Sequence, residues 1–303
     1  MKDKIRPTDV NPSYSYHEGD ESKNERIHFK HWNDLIYGND KDDDKDKDTT
    51  YSSIWLYRKA KEIPELKDPI GSSSVSEAKK KGVKYFSEFN PLVAENIINF
   101  WSDENNIILD PFAGRTRGIV AGIKHRKYYG FEISKTVFNA TKNIIDKNED
   151  KFDKGFIPTL INDDSFNLDK YDIPAVDCIF TCPAYWDLEK YESCPGQLSD
   201  IQDYNEFIKR FKEIMHKAAD KLKENGFACL VVGDFRRDDK LISFDCDVTT
   251  AMKSLGLVLW DKIVLQNINF GWASFKFGSA KHRRQTSKVH EYLLIFKKIE
   301  NKI

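Results

Sequence analysis

Apolar residues recur in two patterns from Asn90 onward: short unbroken runs, and longer runs with helical spacing. The segment NPLVAENIINFW predicts a helix, because Asn90 can cap it and Pro91 suits its first turn. The segment from 203 to 226, DYNEFIKRFKEIMHKAADKLKENG, predicts a longer helix with Gly226 just past its end. The apolar face of the first helix comprises Leu92, Val93, Ile97, Ile98 and Trp101, and that of the second comprises Phe207, Phe211, Ile214, Met215, Ala218 and Leu222.

The short apolar runs predict strands that alternate with helices. The runs are NIILD, KYYGFE, PTLIND, AVDCIFTC and FACLVVGD, and a late run, KVHEYLLIF, predicts a further central or edge strand. Alternation of this kind predicts an α/β fold with a mostly parallel sheet covered by helices on both faces. In such sheets ligands bind beyond the carboxyl ends of the strands, where this chain has Asp110, Glu132, Asp164 and the pair Cys182-Pro183.

The chain divides by composition into three parts. Residues 1–50 are polar and end in the mixed-charge run DKDDDKDKDTT, which predicts disorder or a solvated loop. Residues 51–85 form an extension that contains GSSSVSEAKKKG, a stretch typical of a mobile connector. Residues 86–303 hold the regular pattern and are expected to form the functional domain.

Charge and cysteine content narrow the class of protein. The 48 basic and 49 acidic residues nearly cancel, so net charge indicates no partner and only local clusters can. The five cysteines form no CxxC pair and no group with metal-ligand spacing, which favours free thiols in a reducing cytoplasm and no bound metal. No apolar run approaches the roughly 20 residues that span a bilayer, so we expect no membrane association.

The polar strand ends fit a ligand that contains adenosine. Small residues at Ala113-Gly114 allow backbone to approach such a ligand closely, and the helix that follows favours a carboxylate at its N-terminus. Glu132 is placed to accept hydrogen bonds from two ribose hydroxyls, and Asp164 can accept one from an exocyclic adenine amine. Helix capping is the alternative role for any one of these acids.

Four segments carry a resemblance to a known family. In order, DPFAGRTRG, GFEIS, NDDSF and TCPAYW resemble the motifs of DNA amino-methyltransferases, which methylate adenine N6 or cytosine N4 with S-adenosylmethionine. The layout is similar to small DNA methylases carried by phages or found in restriction-modification systems. The resemblance implies a Rossmann-like methyltransferase fold with a mostly parallel seven-stranded sheet. It also implies cofactor contacts from FSEFNP and the first three motifs, at Phe89, Pro91, Asp110, Pro111, Phe112, Ala113, Gly114, Glu132 and Asp164.

The fourth motif implies the catalytic turn. An exocyclic amine is a poor nucleophile because its lone pair is delocalised, and the family activates it with two acceptors at a proline turn while an aromatic stacks on the flipped base. Those roles fall to Cys182, Pro183, Ala184 and Tyr185. Two residues depart from the family, since Cys182 replaces Ser, Asp or Asn, and Ala184 replaces a second proline. A thiol is the weaker acceptor.

Three alternatives stay open at this point. The same turn occurs in RNA or protein methyltransferases, and the two departures are compatible with a non-catalytic DNA-binding regulator that keeps the fold. A covalent mechanism at cytosine C5 is disfavoured, because that family has the order Pro-Cys and this chain has Cys-Pro.

Several charged residues have candidate roles outside the turn. Arg115 and Arg117 are either solvated or pair with the cofactor carboxylate or a DNA phosphate. A methyl donor that carries an extra negative group is a further alternative. Asp187 can orient the target, whereas Glu189 and Glu192 are expected to be solvated or to cap a helix. Arg236 and Arg237 can reach DNA. The basic segment SFKFGSAKHRRQTSK, 274–288, predicts DNA contact through Lys276, Lys281, Arg283, Arg284 and Lys288.

Overall fold

The architecture was determined from a computed structural model that describes residues 53–57, 63, 89–188, 191–267, 284–286 and 290–299. In chain order the strands are β1 (Ile54–Tyr57), β2 (Ile107–Asp110), β3 (Lys127–Phe131), β4 (Thr159–Ile161), β5 (Val176–Thr181), β6 (Leu222–Val232), β7 (Phe235–Arg237), β8 (Lys240–Ile242), β9 (Val258–Asn267) and β10 (His290–Lys297). The α-helices are α1 (Pro91–Trp101), α2 (Arg117–Ile123), α3 (Lys135–Lys147), α4 (Tyr204–Lys221) and α5 (Phe244–Ser254). Short 3-10 helices cover Glu149–Lys151, Ser165–Lys170 and Leu198–Asp200.

Across the described residues, the main sheet has eight strands in the order β1-β9-β10-β6-β5-β2-β3-β4. Only the two pairings of β10 are antiparallel, and the other neighbours run parallel. The mostly parallel α/β sheet is therefore confirmed, with one strand more than the seven expected. The additional strand, β1, lies in the segment predicted to be a connector and pairs with β9, Ile54 opposite Val264. Strands β7 and β8 form a separate hairpin.

The first predicted helix forms as expected. Asn90 Oδ1 accepts a hydrogen bond from the Leu92 amide at 3.0 Å, and Pro91 occupies the first turn. Val93, Ile97 and Trp101 are buried, but Leu92 is 44% exposed and lies outside the predicted apolar face.

Helix α4 ends earlier than its apolar pattern predicts. Lys221 is its last residue, and Leu222 turns to extended backbone and pairs with Val176 at the start of β5. The polar residues that follow form an irregular stretch in which Asn225 has φ +64° and its amide donates to the Lys298 carbonyl at 2.8 Å. Burial of Leu222 against the sheet therefore overrides the helical pattern, and Gly226 lies inside β6.

The core lies on both faces of the sheet, because alternate strand residues point to opposite sides. On one face Ile108, Cys178 and Ile295 pack with α1 and α2. On the other face Leu109, Ile179 and Leu294 pack with α4 and α5. Helices on both faces leave the carboxyl edge of the parallel strands as the open side.

All five cysteines are free thiols. None of the helices described here has both the length and the apolar character needed to cross a membrane. The disorder predicted for residues 1–50 lies outside the described residues.

Candidate active site

A cleft lies beyond the carboxyl ends of β2, β3, β4 and β5 and encloses about 800 Å³, open solvent at its mouth included. It brings together most of the residues predicted to bind the cofactor or to act on the target. Those that line it are Phe89, Pro111, Phe112, Gly114, Glu132, Asp164, Cys182 and Ala184. The remaining predicted residues, Pro91, Asp110, Ala113, Pro183 and Tyr185, are not part of this lining. Pro91, Asp110, Ala113 and Pro183 are buried, and Tyr185 is half-buried.

Asp110 organises the first loop from beneath. Its carboxylate is fully buried and accepts hydrogen bonds from the Phe112 amide at 3.0 Å, the Tyr128 hydroxyl at 2.9 Å and the Thr181 hydroxyl at 2.6 Å. Arg117 Nε lies 2.6 Å from the same carboxylate. These four donors join the loop after β2 to β3, to the end of β5 and to α2, so Asp110 shapes the cleft without lining it.

Both arginines of the first motif are buried, so the alternative that they are solvated is wrong. Arg117 lies over the ring of Phe89 at 5.1 Å and also donates to the Phe112 carbonyl. Burial alone would lower the pKa of its guanidinium, but Asp110, Cys182 and Tyr128 together outweigh burial and raise that pKa above its ordinary value. Arg115 is 2% exposed and lines the cleft. The partner of Arg117 is therefore an internal carboxylate.

Gly114 and Glu132 form the best-defined polar feature of the cleft. Gly114 has φ +56°, a conformation that glycine adopts at little cost, and its amide donates to Glu132 Oε2 at 3.0 Å. The Ser134 amide donates to Oε1 at 2.8 Å. Burial raises the pKa of Glu132 to about 7, although these two amide bonds oppose the rise. Glu132 thus exchanges its proton near neutral pH.

Asp164 lines the cleft with both carboxylate oxygens engaged. Oδ1 accepts from the Phe166 amide at 2.9 Å, and Oδ2 accepts from Arg210 Nη2 at 2.8 Å. Arg210 in turn lies on the Phe166 ring at 3.5 Å. Gly196 passes directly over Asp164, since a Cβ on that glycine would lie 2.2 Å from Oδ2. Neither Arg210 nor Gly196 was predicted from the sequence.

The predicted catalytic turn leaves the end of β5 at the cleft. Cys182 and Ala184 line the cleft, and the Tyr185 hydroxyl lies 3.8 Å from the Cys182 sulfur and donates to Glu291 at 2.5 Å. Burial, reinforced by Cys182 and Glu291, raises the pKa of Tyr185 well above its ordinary value, so the hydroxyl keeps its proton. The ring of Tyr185 meets Phe244 edge-on at 5.9 Å.

The loop after the turn is tied to α3 by Glu192. Its carboxylate accepts from the Ser134 hydroxyl and from both the amide (3.1 Å) and the hydroxyl (2.8 Å) of Thr136. Burial would raise the pKa of Glu192, but these donors outweigh burial and lower it. Of the two roles expected for Glu192, solvation or helix capping, these contacts favour capping, at the N-terminus of α3. Asp187 forms an ion pair with Arg237 at 2.7 Å, which joins the turn to β7.

Of the five basic residues predicted to contact DNA, only Arg284 is described, and it is exposed with φ +54°. Lys276, Lys281, Arg283 and Lys288 lie outside the described residues, as does Glu189. Within the described ranges, no group of three or more His, Cys, Asp or Glu side chains is placed to hold a metal ion.

Comparison with known proteins gives one decisive match. A family model described as DNA methylase, of the N6 and N4 class, matches residues 5–143 and 176–302. None of the curated proteins compared with the chain matches it.

Solved structures with a related architecture are remote in sequence. TrmN from Thermus thermophilus is 12% identical with a TM-score of 0.49, over 77% of this chain and 55% of that one, so this chain spans about half its length. A SAM-dependent methyltransferase from Methanosarcina mazei is 11% identical with a TM-score of 0.45, over 67% and 97%. An rRNA methylase from Streptococcus thermophilus is 13% identical with a TM-score of 0.43, over 71% and 99%.

Proposed function

Because the chain belongs to the DNA methylase family of N6 and N4 amino-methyltransferases, we propose that it methylates an exocyclic amino group of a base in DNA. The target is adenine N6 or cytosine N4. The base leaves the duplex and enters the turn Cys182-Pro183-Ala184-Tyr185. S-adenosylmethionine is the methyl donor, and it supplies an electrophilic methyl group when bound.

One observation carries the proposal. Cys182 and Ala184 open into the same cleft that Gly114, Glu132 and Asp164 line. The acceptors for a target amine and the polar groups suited to an adenosine therefore share one cavity at the carboxyl edge of the sheet. A methyl group can pass between two bound molecules only when their sites meet in this way.

The cofactor residues fit an adenosine in chemistry as well as in place. Each oxygen of Glu132 accepts one backbone amide and keeps a lone pair for a ribose hydroxyl. Gly114 has no side chain, and the space that a Cβ would occupy is open, with nothing within 4 Å. A ligand can therefore approach the backbone closely at this point. Asp164 is the proposed acceptor for the adenine amine, a role in which it would share its carboxylate with Arg210.

The turn has the groups that amine activation needs. The Cys182 sulfur accepts one amine hydrogen, and a backbone carbonyl of the turn accepts the other, which draws the nitrogen toward tetrahedral geometry. Tyr185, half-buried beside the cleft, offers a ring face for the flipped base. We assign phosphate contact to Arg284 and the rest of the basic segment 274–288.

The test is expression in a methylation-deficient host, followed by mass spectrometry of nucleosides from genomic DNA and from total RNA. The matched control is Glu132→Ala, which removes the proposed ribose acceptor. We expect N6-methyladenine or N4-methylcytosine in DNA with the wild-type chain and neither with the control.

Two other outcomes would overturn the proposal. New methylation confined to RNA would assign the same turn to an RNA methyltransferase. No methylation in either nucleic acid, with S-adenosylmethionine still bound in calorimetry, would assign the chain to the regulators that keep the fold without turnover.

A further inference from the structure

A chain of hydrogen-bonding groups leads away from the cleft behind Cys182. The Cys182 sulfur lies 3.8 Å from the Tyr185 hydroxyl, and that hydroxyl lies 2.5 Å from Glu291 Oε1. Tyr57 donates to Oε2 of the same carboxylate at 3.3 Å. Of these groups only Cys182 lines the cleft, and the chain leads from it to half-buried groups at the start of β10 and the end of β1.

These groups come from segments that are distant in sequence. Tyr185 follows β5, Glu291 lies on β10 and Tyr57 lies on β1. Gly233, just after β6, leaves the space that the pair occupies, since a Cβ there would lie 3.3 Å from the Tyr185 ring and 3.5 Å from the Glu291 side chain. Contact with Phe244 fixes the ring from another side. The hydroxyl of Tyr185 therefore has a defined position relative to both neighbours.

We propose that Cys182, Tyr185 and Glu291 form a relay that removes the proton released by amine methylation, an inference that rests on the proposed function. As the target nitrogen forms its bond to the methyl carbon, it loses one hydrogen as a proton to the Cys182 sulfur. The thiol proton of Cys182 passes to the Tyr185 oxygen, and the phenolic proton passes to Glu291. Glu291 ends as a neutral carboxylic acid and later releases that proton to water.

The relay accounts for the departure at Cys182. A neutral thiol is a weak hydrogen-bond acceptor when its own hydrogen is not engaged in a hydrogen bond. When the thiol hydrogen points to the Tyr185 oxygen, which itself donates to a carboxylate, the sulfur lone pairs are directed to the cleft. Hydrogen bonds in such a chain polarise one another, so Glu291 strengthens the acceptor that the target amine meets.

The relay makes the hydroxyl of Tyr185 matter in addition to its ring. Tyr185→Phe keeps the ring that stacks on a base and removes only the oxygen. Glu291→Gln keeps the size of the side chain and removes its ability to take a proton. The matched control is Tyr292→Phe, which removes a hydroxyl from the neighbouring residue of β10, where it contacts His290 at 3.1 Å.

The experiment measures single-turnover methyl transfer to genomic DNA from a methylation-deficient host, with cofactor affinity by calorimetry and DNA affinity by filter binding. We expect Tyr185→Phe and Glu291→Gln each to slow transfer by roughly 10- to 100-fold with both affinities unchanged. The double variant should be no slower than the slower single variant, because the two residues act in one chain. Tyr292→Phe should match the wild type.

The alternative results are distinct. Wild-type rates for Tyr185→Phe or Glu291→Gln would overturn the relay and leave the proposed function standing. Loss of DNA affinity together with the rate would also overturn it, in favour of a packing role for the pair. Absence of transfer by the wild-type chain itself would overturn the proposed function, a result that needs no variant to recognise.

Discussion

Asp110, Glu132 and Asp164 show how three acids of one site acquire different properties from their neighbours. Asp110 is fully buried against the buried Arg117 and joins the first loop to its neighbours. Glu132 accepts two backbone amides, and burial raises its pKa to about 7 against the opposing effect of those amides. Asp164 keeps part of its surface in the cleft and pairs with Arg210. The sequence places an acid at each of these strand ends, but the neighbours of each carboxyl group decide its pKa and its contacts.

Substitution Asp110→Asn is expected to lower the free energy of unfolding by about 3–5 kcal/mol, because it leaves the Arg117 guanidinium buried beside a neutral group. Adding Arg117→Met should recover part of the loss, since the second change removes the uncompensated charge. Urea denaturation of the wild type and the two variants measures both effects. A loss below about 1 kcal/mol for Asp110→Asn would contradict a structural role for the ion pair.

The pKa of Glu132 predicts that cofactor affinity depends on pH. Ribose hydroxyls bind the carboxylate better than the protonated acid, so affinity should rise between pH 6 and pH 8 as Glu132 loses its proton. Glu132→Gln should bind more weakly at pH 8 and lack this component of the rise. Calorimetry with both chains at several pH values provides the comparison, and parallel pH curves would refute the assignment.

The same shift makes the opposite prediction for stability without cofactor. The folded pKa of Glu132 lies above its unfolded value, so its favourable contribution is complete below about pH 4.5 and is lost as the pH rises through 7. The melting temperature of Glu132→Gln, measured relative to that of the wild type, should therefore rise between pH 5 and pH 8.

Some residue positions could be predicted from the sequence and others could not. The positions of Gly114 and Glu132 in the cleft could be predicted because both follow apolar strands in a recognisable motif. The burial of Arg117 was missed, because its partner Asp110 precedes it by seven residues across a loop whose path the pattern does not reveal. The contact between Tyr185 and Glu291 spans 106 positions, a separation over which periodicity carries no information.

At the scale of elements, the loop 191–198 forms one wall of the cleft and is held at two points. Glu192 ties it to the N-terminus of α3, and Gly196 lies against the Asp164 carboxylate. Tyr191, Gln197 and Leu198 also line the cleft. The loop therefore couples the segment after the turn 182–185 to the residues proposed to hold the cofactor.

Substitution Gly196→Ala should weaken cofactor binding by moving this loop off Asp164. The new Cβ would lie 2.2 Å from Asp164 Oδ2, and Gly196 also has φ +92°. Gly155→Ala is a matched control, because Gly155 has φ +94° and nothing within 4 Å of a Cβ. Both changes cost backbone strain of about 1 kcal/mol or more, but only Gly196→Ala should lower affinity in calorimetry. Equal affinities for the two variants would contradict a role of the loop in the cofactor site.

The elements themselves were predicted unevenly, for physical reasons. Helix α1 was predicted with its first residue because a cap and a proline mark its start locally. The end of α4 was misplaced because Leu222 fits a helix face equally well, and only its partner Val176 selects the strand. Strand β1 was missed because four residues in a polar region give too short a pattern, and its partner β9 lies about two hundred residues later.

At the scale of the molecule, early and late parts of the chain meet beside the turn 182–185. Strand β1 pairs with β9, β9 pairs with β10, and Tyr57 of β1 reaches Glu291 of β10. The strand outside the seven expected ones thus contributes a group to the polar chain behind Cys182. Strand β1, which lies in the segment predicted as a connector from its composition, is part of the wall that supports the turn.

If β1 belongs to the same cooperative unit as the rest of the sheet, its buried tryptophan should matter for global stability. Trp55 is 6% exposed and packs against Trp101 with 5.7 Å between ring centroids, whereas its neighbour Ile54 is 50% exposed. We expect Trp55→Ala to lower the free energy of unfolding by about 3–5 kcal/mol and Ile54→Ala by less than about 1 kcal/mol. Urea denaturation of the full chain, followed by circular dichroism, measures both. Similar small losses for the two variants would mean that the rest of the sheet is stable without β1. The contact between Tyr57 and Glu291 would then depend on a strand that is not part of the cooperative core.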